Sequence, residues 1–87
     1  MFYVTHKLHM PGDEIRAMWV VELKNGAVVR CFPFEAELQS MVWKEELFLS
    51  PVVSAKCLSD ITGRAVHGAQ PLCLYETIDG VAVRRLL

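Results

Sequence analysis

Apolar and polar positions alternate along the first 34 residues, and two turn dipeptides interrupt this alternation. They are Pro11-Gly12 and Asn25-Gly26. Proline fixes φ at the second position of a type II turn and glycine takes the positive φ at the third, whereas Asn-Gly suits a type I′ turn with two successive positive φ values. The pattern therefore predicts a three-stranded antiparallel meander.

The two turns also predict which side chains share a face of this meander. With a two-residue loop at each dipeptide, Trp19 lies opposite Val4 in the first hairpin and opposite Phe32 in the second, which makes Trp19 a predicted packing centre. Because side chains alternate between faces along a strand, one face becomes mostly apolar. That face holds Phe2, Val4, His6, Leu8, Ile15, Ala17, Trp19, Val21, Leu23, Val28, Arg30, Phe32 and Phe34.

A third turn dipeptide, Asp79-Gly80, predicts a C-terminal β-hairpin. With a two-residue loop, Glu76 and Arg85 become diagonal neighbours on one face and are expected to form a cross-strand ion pair.

The two Asx-Gly hairpins share a charge spacing. Glutamate stands three residues before the turn dipeptide and arginine four residues after it, as Glu22 with Arg30 and as Glu76 with Arg84. An internal duplication would produce this similarity, but nine residues are too few to support a repeat. We favour two hairpins that obey the same turn chemistry.

The central segment predicts one or two short helices. Residues 35–42 place apolar side chains on one side and two glutamates in the first turn, and residues 46–50 are typical of a short strand. Ser50-Pro51 is typical of a helix N-cap followed by proline, and Gly63 can end that helix. Val52 and Val53 are adjacent β-branched residues, which favour extended backbone, so a strand is the alternative to a helix over residues 51–62.

These elements predict a β-rich α+β fold in a single domain, residues 1–87, in which the C-terminal hairpin completes the sheet or a small open barrel. A chain of 87 residues and 9.8 kDa is of one-domain size. The hydrophobic content of 53% excludes disorder caused by low hydrophobicity.

Charge and cysteine content indicate which classes of partner and which cellular compartment to expect. Nine Lys and Arg against ten Asp and Glu give a net charge of −1, which offers no field that would attract nucleic acid. No apolar run approaches the ~20 residues of a membrane span, and the N-terminus does not resemble a signal peptide. The odd number of cysteines, Cys31, Cys57 and Cys73, favours reduced thiols and a cytoplasmic location.

The sequence contains little that resembles a metal or catalytic site. His6 and His9, with Asp13 and Glu14 nearby, are the best metal candidates, but residues three apart on a strand point to opposite faces. The cysteines are too far apart in sequence for the close pairs that structural zinc sites use. Neither a nucleophile elbow nor a phosphate-binding glycine loop is present. We therefore expect no metal, no cofactor and no catalytic residue.

Two polar side chains, His6 and Arg30, stand on the predicted apolar face. A buried ionisable group needs a partner or a cavity, so the pair could line a small pocket that binds a ligand such as an anion. The structural alternative is that Arg30 extends its charge to solvent at the sheet edge, while a neutral His6 bonds to the backbone.

The surplus of apolar side chains predicts self-association. The second face of the meander and the central segment carry more apolar residues than one small core can cover, namely Tyr3, Met18, Val20, Val29, Cys31, Trp43, Leu47, Phe48, Leu49, Leu86 and Leu87. Contiguous exposed apolar surface usually marks an interface, and a twofold homodimer is the commonest outcome. The competing arrangement is a three-layer monomer whose helices cover the second face.

The function that fits these features best is a non-catalytic interaction module that self-associates and binds a protein partner. The alternative is a small-ligand binding domain that uses His6 and Arg30. A weaker alternative is a small enzyme whose active site forms across a dimer interface.

Overall fold

One mixed sheet of six strands dominates the computed structural model, which describes residues 1–62 and 70–87. The strands are β1 (Phe2–His9), β2 (Ile15–Lys24), β3 (Ala27–Pro33), β4 (Met41–Ser50), β5 (Cys73–Thr77) and β6 (Val83–Leu86), and the one helix in this part of the chain is α1 (Leu58–Ile61). The spatial order is β3-β2-β1-β4-β5-β6. β1 and β4 are parallel, and the other neighbours are antiparallel.

This architecture is β-rich, but it differs from the predicted α+β fold. The first three strands are half of a larger mixed sheet rather than a separate meander, because β1 also pairs with β4. The C-terminal hairpin does complete the sheet, since β5 pairs with β4. The sheet is curled into a half-barrel: Val28 N–H donates to Leu72 O at 3.0 Å, which joins the start of β3 to the chain just before β5.

The helix predicted over residues 35–42 is wrong, because this segment must cross the sheet. β3 and β4 run in the same direction with β2 and β1 between them, so residues 34–40 span three strand spacings, about 14 Å. Seven residues of helix would reach only about 10 Å, whereas seven extended residues reach about 23 Å. The chain is therefore irregular here, and Met41 already begins β4.

The helix predicted from Ser50-Pro51 is also wrong. Ser50 is the buried last residue of β4, and its hydroxyl accepts a hydrogen bond from Val52 N–H at 3.1 Å. The chain becomes helical only at α1, where the Asp60 carboxylate accepts the Cys57 N–H at 3.2 Å. Residues 52–56 form neither helix nor strand, and Gly63, the predicted helix end, lies outside the described residues.

Tyr75 of β5 explains why this segment is irregular. Its ring is fully buried, and its hydroxyl donates to Val52 O at 2.6 Å and accepts Ala55 N–H at 3.1 Å. The segment between β4 and α1 is therefore bonded to the sheet instead of to itself. Tertiary hydrogen bonds satisfy backbone groups that a helix would otherwise have paired.

The predicted register of β1 with β2 is off by one residue. Met10 N–H donates to Glu14 O at 2.7 Å, so the connection contains three residues and not two, and Asp13 adopts φ 73°. Trp19 consequently lies opposite Thr5 rather than Val4. A one-residue slip moves side chains to the other face, which is why the predicted face is wrong.

The Asn25-Gly26 turn itself is confirmed, with φ 55° and 76°. The register is as predicted next to the turn, but a β-bulge between Glu22 and Leu23 then shifts it, so Trp19 lies opposite Pro33 and not Phe32. The C-terminal hairpin departs in a similar way. Ile78 N–H donates to Ala82 O at 2.8 Å, so this loop holds three residues.

Strict alternation also fails within the strands. The ladders of β1 with β2 and with β4 are both interrupted at His6, at the level of Met18 on β2 and Glu45 on β4. Met18 also adopts a positive φ of 56°. Tyr3 and Leu8 both belong to the core although they are five residues apart, so the buried parity changes at this point. The main core on the concave face consists of Tyr3, Leu8, Val21, Leu23, Leu47, Leu49, Leu74 and Leu86, and the half-buried Trp19 packs at its margin instead of at its centre.

Candidate functional site

The convex face of the sheet carries a row of apolar side chains across four strands. The register aligns Phe32 of β3, Val20 of β2, Val4 of β1 and Trp43 of β4. The two valines are fully buried, whereas Trp43 is 44% exposed. Because Val4 alternates with the core residue Tyr3, this row faces away from the main core. We call Phe32, Phe34, Leu38 and Trp43 the aromatic patch.

The crossover between β3 and β4 forms the cover of this row. Phe34 N–H donates to Met18 O at 2.9 Å, which holds the start of the crossover on β2. The Phe34 ring then meets the Trp43 ring edge-on, with centroids 5.3 Å apart and an interplanar angle of 69°. This is a favoured aromatic geometry. The pair spans β2 and β1 and explains why the valines beneath are buried.

Beside the aromatic patch lies an open groove of about 310 Å³. Phe32 and Pro33 of β3 form one part of its lining, and Glu35, Ala36 and Leu38 of the crossover form the rest. Leu38 is 39% exposed. Four of the five lining side chains carry no polar atom, so the groove is suited to an apolar side chain rather than to a polar metabolite.

Charged side chains at the groove differ in their pairing. Arg30 of β3 donates from Nε to Oε1 of Glu22 at 2.7 Å, and its guanidinium carbon lies 5.1 Å from the centroid of the Phe32 ring. Glu35 and Glu37 of the crossover have no ion-pair partner among the residues that the structure describes. Within residues 1–62 and 70–87, the Glu35 carboxylate in the groove lining is therefore unpaired, and Arg30 beside Phe32 uses only Nε in its ion pair.

His6 and Arg30, the predicted ligand-binding pair, do not come together. Both are exposed, in contrast to the apolar face on which the sequence placed them. Arg30 pairs with Glu22 of β2, and Glu22 in turn pairs with Phe2 of β1. Phe2 lies four residues before His6, so Arg30 and His6 lie at different levels of the sheet. His6 instead lies beside Glu45, with Nε2 3.9 Å from Oε2, and 6.1 Å from the Trp43 ring.

The residues considered for metal binding are dispersed as well. His9 Nε2 lies 2.5 Å from Glu46 Oε2, and the ring stacks on Phe48 with centroids 4.2 Å apart. Asp13 shares with His9 the lining of a cavity of about 60 Å³, whereas Glu14 pairs with Arg16. Across residues 1–62 and 70–87, no three potential metal ligands are grouped together.

One ionic network was not predicted. Glu76 accepts from Lys44 at 2.9 Å and from Arg84 at 2.8 Å, so the predicted pair with Arg85 is wrong by the same one-residue shift. Burial raises the pKa of Glu76, but the hydrogen bonds from Lys44 and Arg84 outweigh it and leave the pKa below its ordinary value. The sequence signal for this arrangement is the Glu-to-Arg spacing that the two hairpins share. Glu22 with Arg30 and Glu76 with Arg84 are both direct cross-strand pairs.

Arg85 has a structural position instead. Its Nη2 donates to Gly26 O at 2.7 Å and its Nη1 to Val53 O at 3.4 Å, while its buried Nε has no partner in the described structure. The first of these bonds joins β6 to the turn between β2 and β3. Arg85 therefore helps to hold the curl of the sheet.

No helix in the part of the chain that the structure describes has the length and apolar character of a membrane span. Comparison of the chain with protein-family models, with curated proteins and with solved structures finds no match.

Proposed function

We propose that the protein is a non-catalytic interaction module that self-associates through the aromatic patch and the adjacent groove. The observation that carries the proposal is the exposure of Trp43 and Leu38 beside an open apolar groove. Large apolar side chains that are gathered and accessible favour burial against another protein surface. Aromatic side chains are also enriched at such interfaces.

The pairing of polar side chains favours this function over catalysis or small-ligand binding. His6 pairs with Glu45, His9 with Glu46 and Arg30 with Glu22, each on its own part of the sheet. A catalytic or anion site needs several such groups directed at one cavity. The ligand-binding alternative at His6 and Arg30 would require the two to share a pocket, and four residues of strand separate them.

We also propose a cytoplasmic location. Cys31, Cys57 and Cys73 are all free thiols in the structure, and an odd number of unpaired cysteines fits a reducing compartment.

Light scattering on a size-exclusion peak tests self-association. We expect a mass of at least twice 9.8 kDa at micromolar concentrations, with dissociation on dilution. Leu38→Ser removes an apolar contact from the groove and is expected to weaken the dimer. Val81→Ser, at a residue that is 68% exposed on the C-terminal hairpin, is the matched control and should leave the mass unchanged. A mass near 9.8 kDa at every concentration would refute the proposal.

A further inference from the structure

Both edge strands of the sheet are covered near their starts by another part of the chain. An edge strand presents unpaired N–H and C=O groups that can pair with another chain, and proteins usually cover or disrupt such an edge. At the β6 edge, Val83 N–H donates to Lys56 O at 3.0 Å, and Leu58 N–H donates to Val81 O at 2.8 Å. The segment before α1 therefore covers the start of β6, around Val83.

β3 forms the other edge, and the described residues cover it at its start. Val28 N–H donates to Leu72 O at 3.0 Å. From Val29 to Phe32, the described residues provide no further backbone hydrogen bond apart from those with β2. Val29 is 55% exposed, and the Arg30 side chain is exposed as well. This stretch leads directly into Pro33 and the groove.

We propose that a second copy of this chain occupies the β3 edge, with the two β3 strands antiparallel across a twofold axis. This inference rests on the proposed self-association and identifies its interface. In an isologous pair, the start of one strand meets the end of the other. Val29 and Arg30 of one copy then approach the groove at the end of the partner's β3, and the same contact occurs twice.

Charge complementarity supports this occupant. Arg30 uses only Nε in its bond to Glu22, which leaves both terminal nitrogens of the guanidinium as donors. Glu35 lines the groove and has no ion-pair partner in the described part of the chain. Antiparallel pairing brings the Arg30 of one copy towards the partner's Glu35. The Glu35 carboxylate, which has no ion pair within the described residues, and the partly engaged guanidinium thus complement each other.

Local features of β3 limit the pairing and make these side-chain contacts necessary. The bulge before Arg30 interrupts regular pairing, and Pro33 has no N–H to donate. Regular hydrogen bonds between the copies are therefore restricted to Arg30–Phe32. Such a short ladder needs the apolar contact of Val29 and the ion pairs in addition. The interface is consequently expected to be sensitive to a single added charge.

The first test introduces that charge. Val29→Lys places an ammonium at the edge, and we expect the dimer Kd from concentration-dependent light scattering to rise about tenfold or more. Ile78→Lys, at a residue 60% exposed on the C-terminal hairpin, is the matched control and should leave Kd unchanged. Denaturant unfolding of both variants confirms that each remains folded.

The second test exchanges the charges. Arg30→Glu and Glu35→Arg should each raise Kd about tenfold by placing like charges together, and the double variant should recover most of the loss. Arg84→Glu removes the equivalent cross-strand pair from the other hairpin and controls for the loss of an ion pair. A monomeric wild type would refute both the self-association and this interface. If a dimeric wild type responds to Leu38→Ser while Val29→Lys and the charge exchange behave like their controls, self-association stands and the β3 interface is refuted.

Discussion

The hydroxyl of Tyr75 is the most sharply testable interaction in the fold. Tyr75→Phe keeps the fully buried ring and removes only the oxygen that donates to Val52 O and accepts from Ala55 N–H. Those two bonds attach the irregular segment between β4 and α1 to the sheet. Without them, a carbonyl and an amide in a half-buried segment lose their partners.

The expected magnitude follows from those two groups. A hydrogen bond contributes about 0.5–1.5 kcal/mol net, and a buried donor or acceptor left unpaired costs about 1–3 kcal/mol. Val52 and Ala55 are half-buried, so water reaches part of each group after the substitution. We therefore expect Tyr75→Phe to lower the free energy of unfolding by about 1–3 kcal/mol. With a urea m-value of about 1 kcal/mol/M for a chain of this size, the midpoint should fall by about 1–3 M.

Urea denaturation followed by tryptophan fluorescence measures this change. Tyr3→Phe is the matched control, because Tyr3 is also buried in the core but its hydroxyl makes no hydrogen bond in the described structure. Its midpoint should stay within experimental error of the wild type. Equal midpoints for Tyr75→Phe and Tyr3→Phe would refute the argument that Tyr75 anchors the segment.

Four further outcomes are expected. Gly26→Ala should lower the free energy of unfolding by roughly 1–2 kcal/mol because of its φ of +76°, and by more because the new Cβ would lie 3.1 Å from a Leu87 methyl carbon. Gly12→Ala is the control in urea denaturation: with φ +83° and no atom within 4 Å of the new Cβ, it measures the backbone effect alone. Because the folded-state pKa of Glu76 is lowered, its stabilisation is present above the unfolded pKa and is lost as pH falls through the folded one, so Glu76→Gln should flatten the acid limb of unfolding free energy against pH. Leu47→Ala, at a fully buried core position, should lower the free energy of unfolding by about 2–5 kcal/mol in the same urea measurement. EDTA should leave the melting temperature unchanged, and a fall of several degrees would contradict the expectation that no metal is bound.

Turn chemistry, which depends on two or three neighbouring residues, could be predicted from the sequence. The Asn25-Gly26 turn has the two positive φ values that its residues favour, and the apolar and β-branched runs on either side of it are strands. The C-terminal hairpin was also located correctly. Its loop, however, is one residue longer than the dipeptide implied, because the Asp79 carboxylate accepts the N–H groups of Val81 and Ala82.

Register, faces and the candidate site depended on tertiary structure. One extra loop residue or one bulge reverses the face of every side chain beyond it, and neither leaves a local sequence signal strong enough to predict. His6 and Arg30 are therefore exposed, whereas the sequence pattern places both on an apolar face.

The sequence places Trp43 among the apolar residues that one small core cannot cover, but it does not show that a groove forms near this residue. That groove exists because β4 pairs with β1 rather than with β3, which forces residues 34–40 across the sheet. Pairing between strands that lie far apart in sequence is decided by the burial of the whole core. Local propensity therefore located the strands, and long-range packing decided how they were assembled.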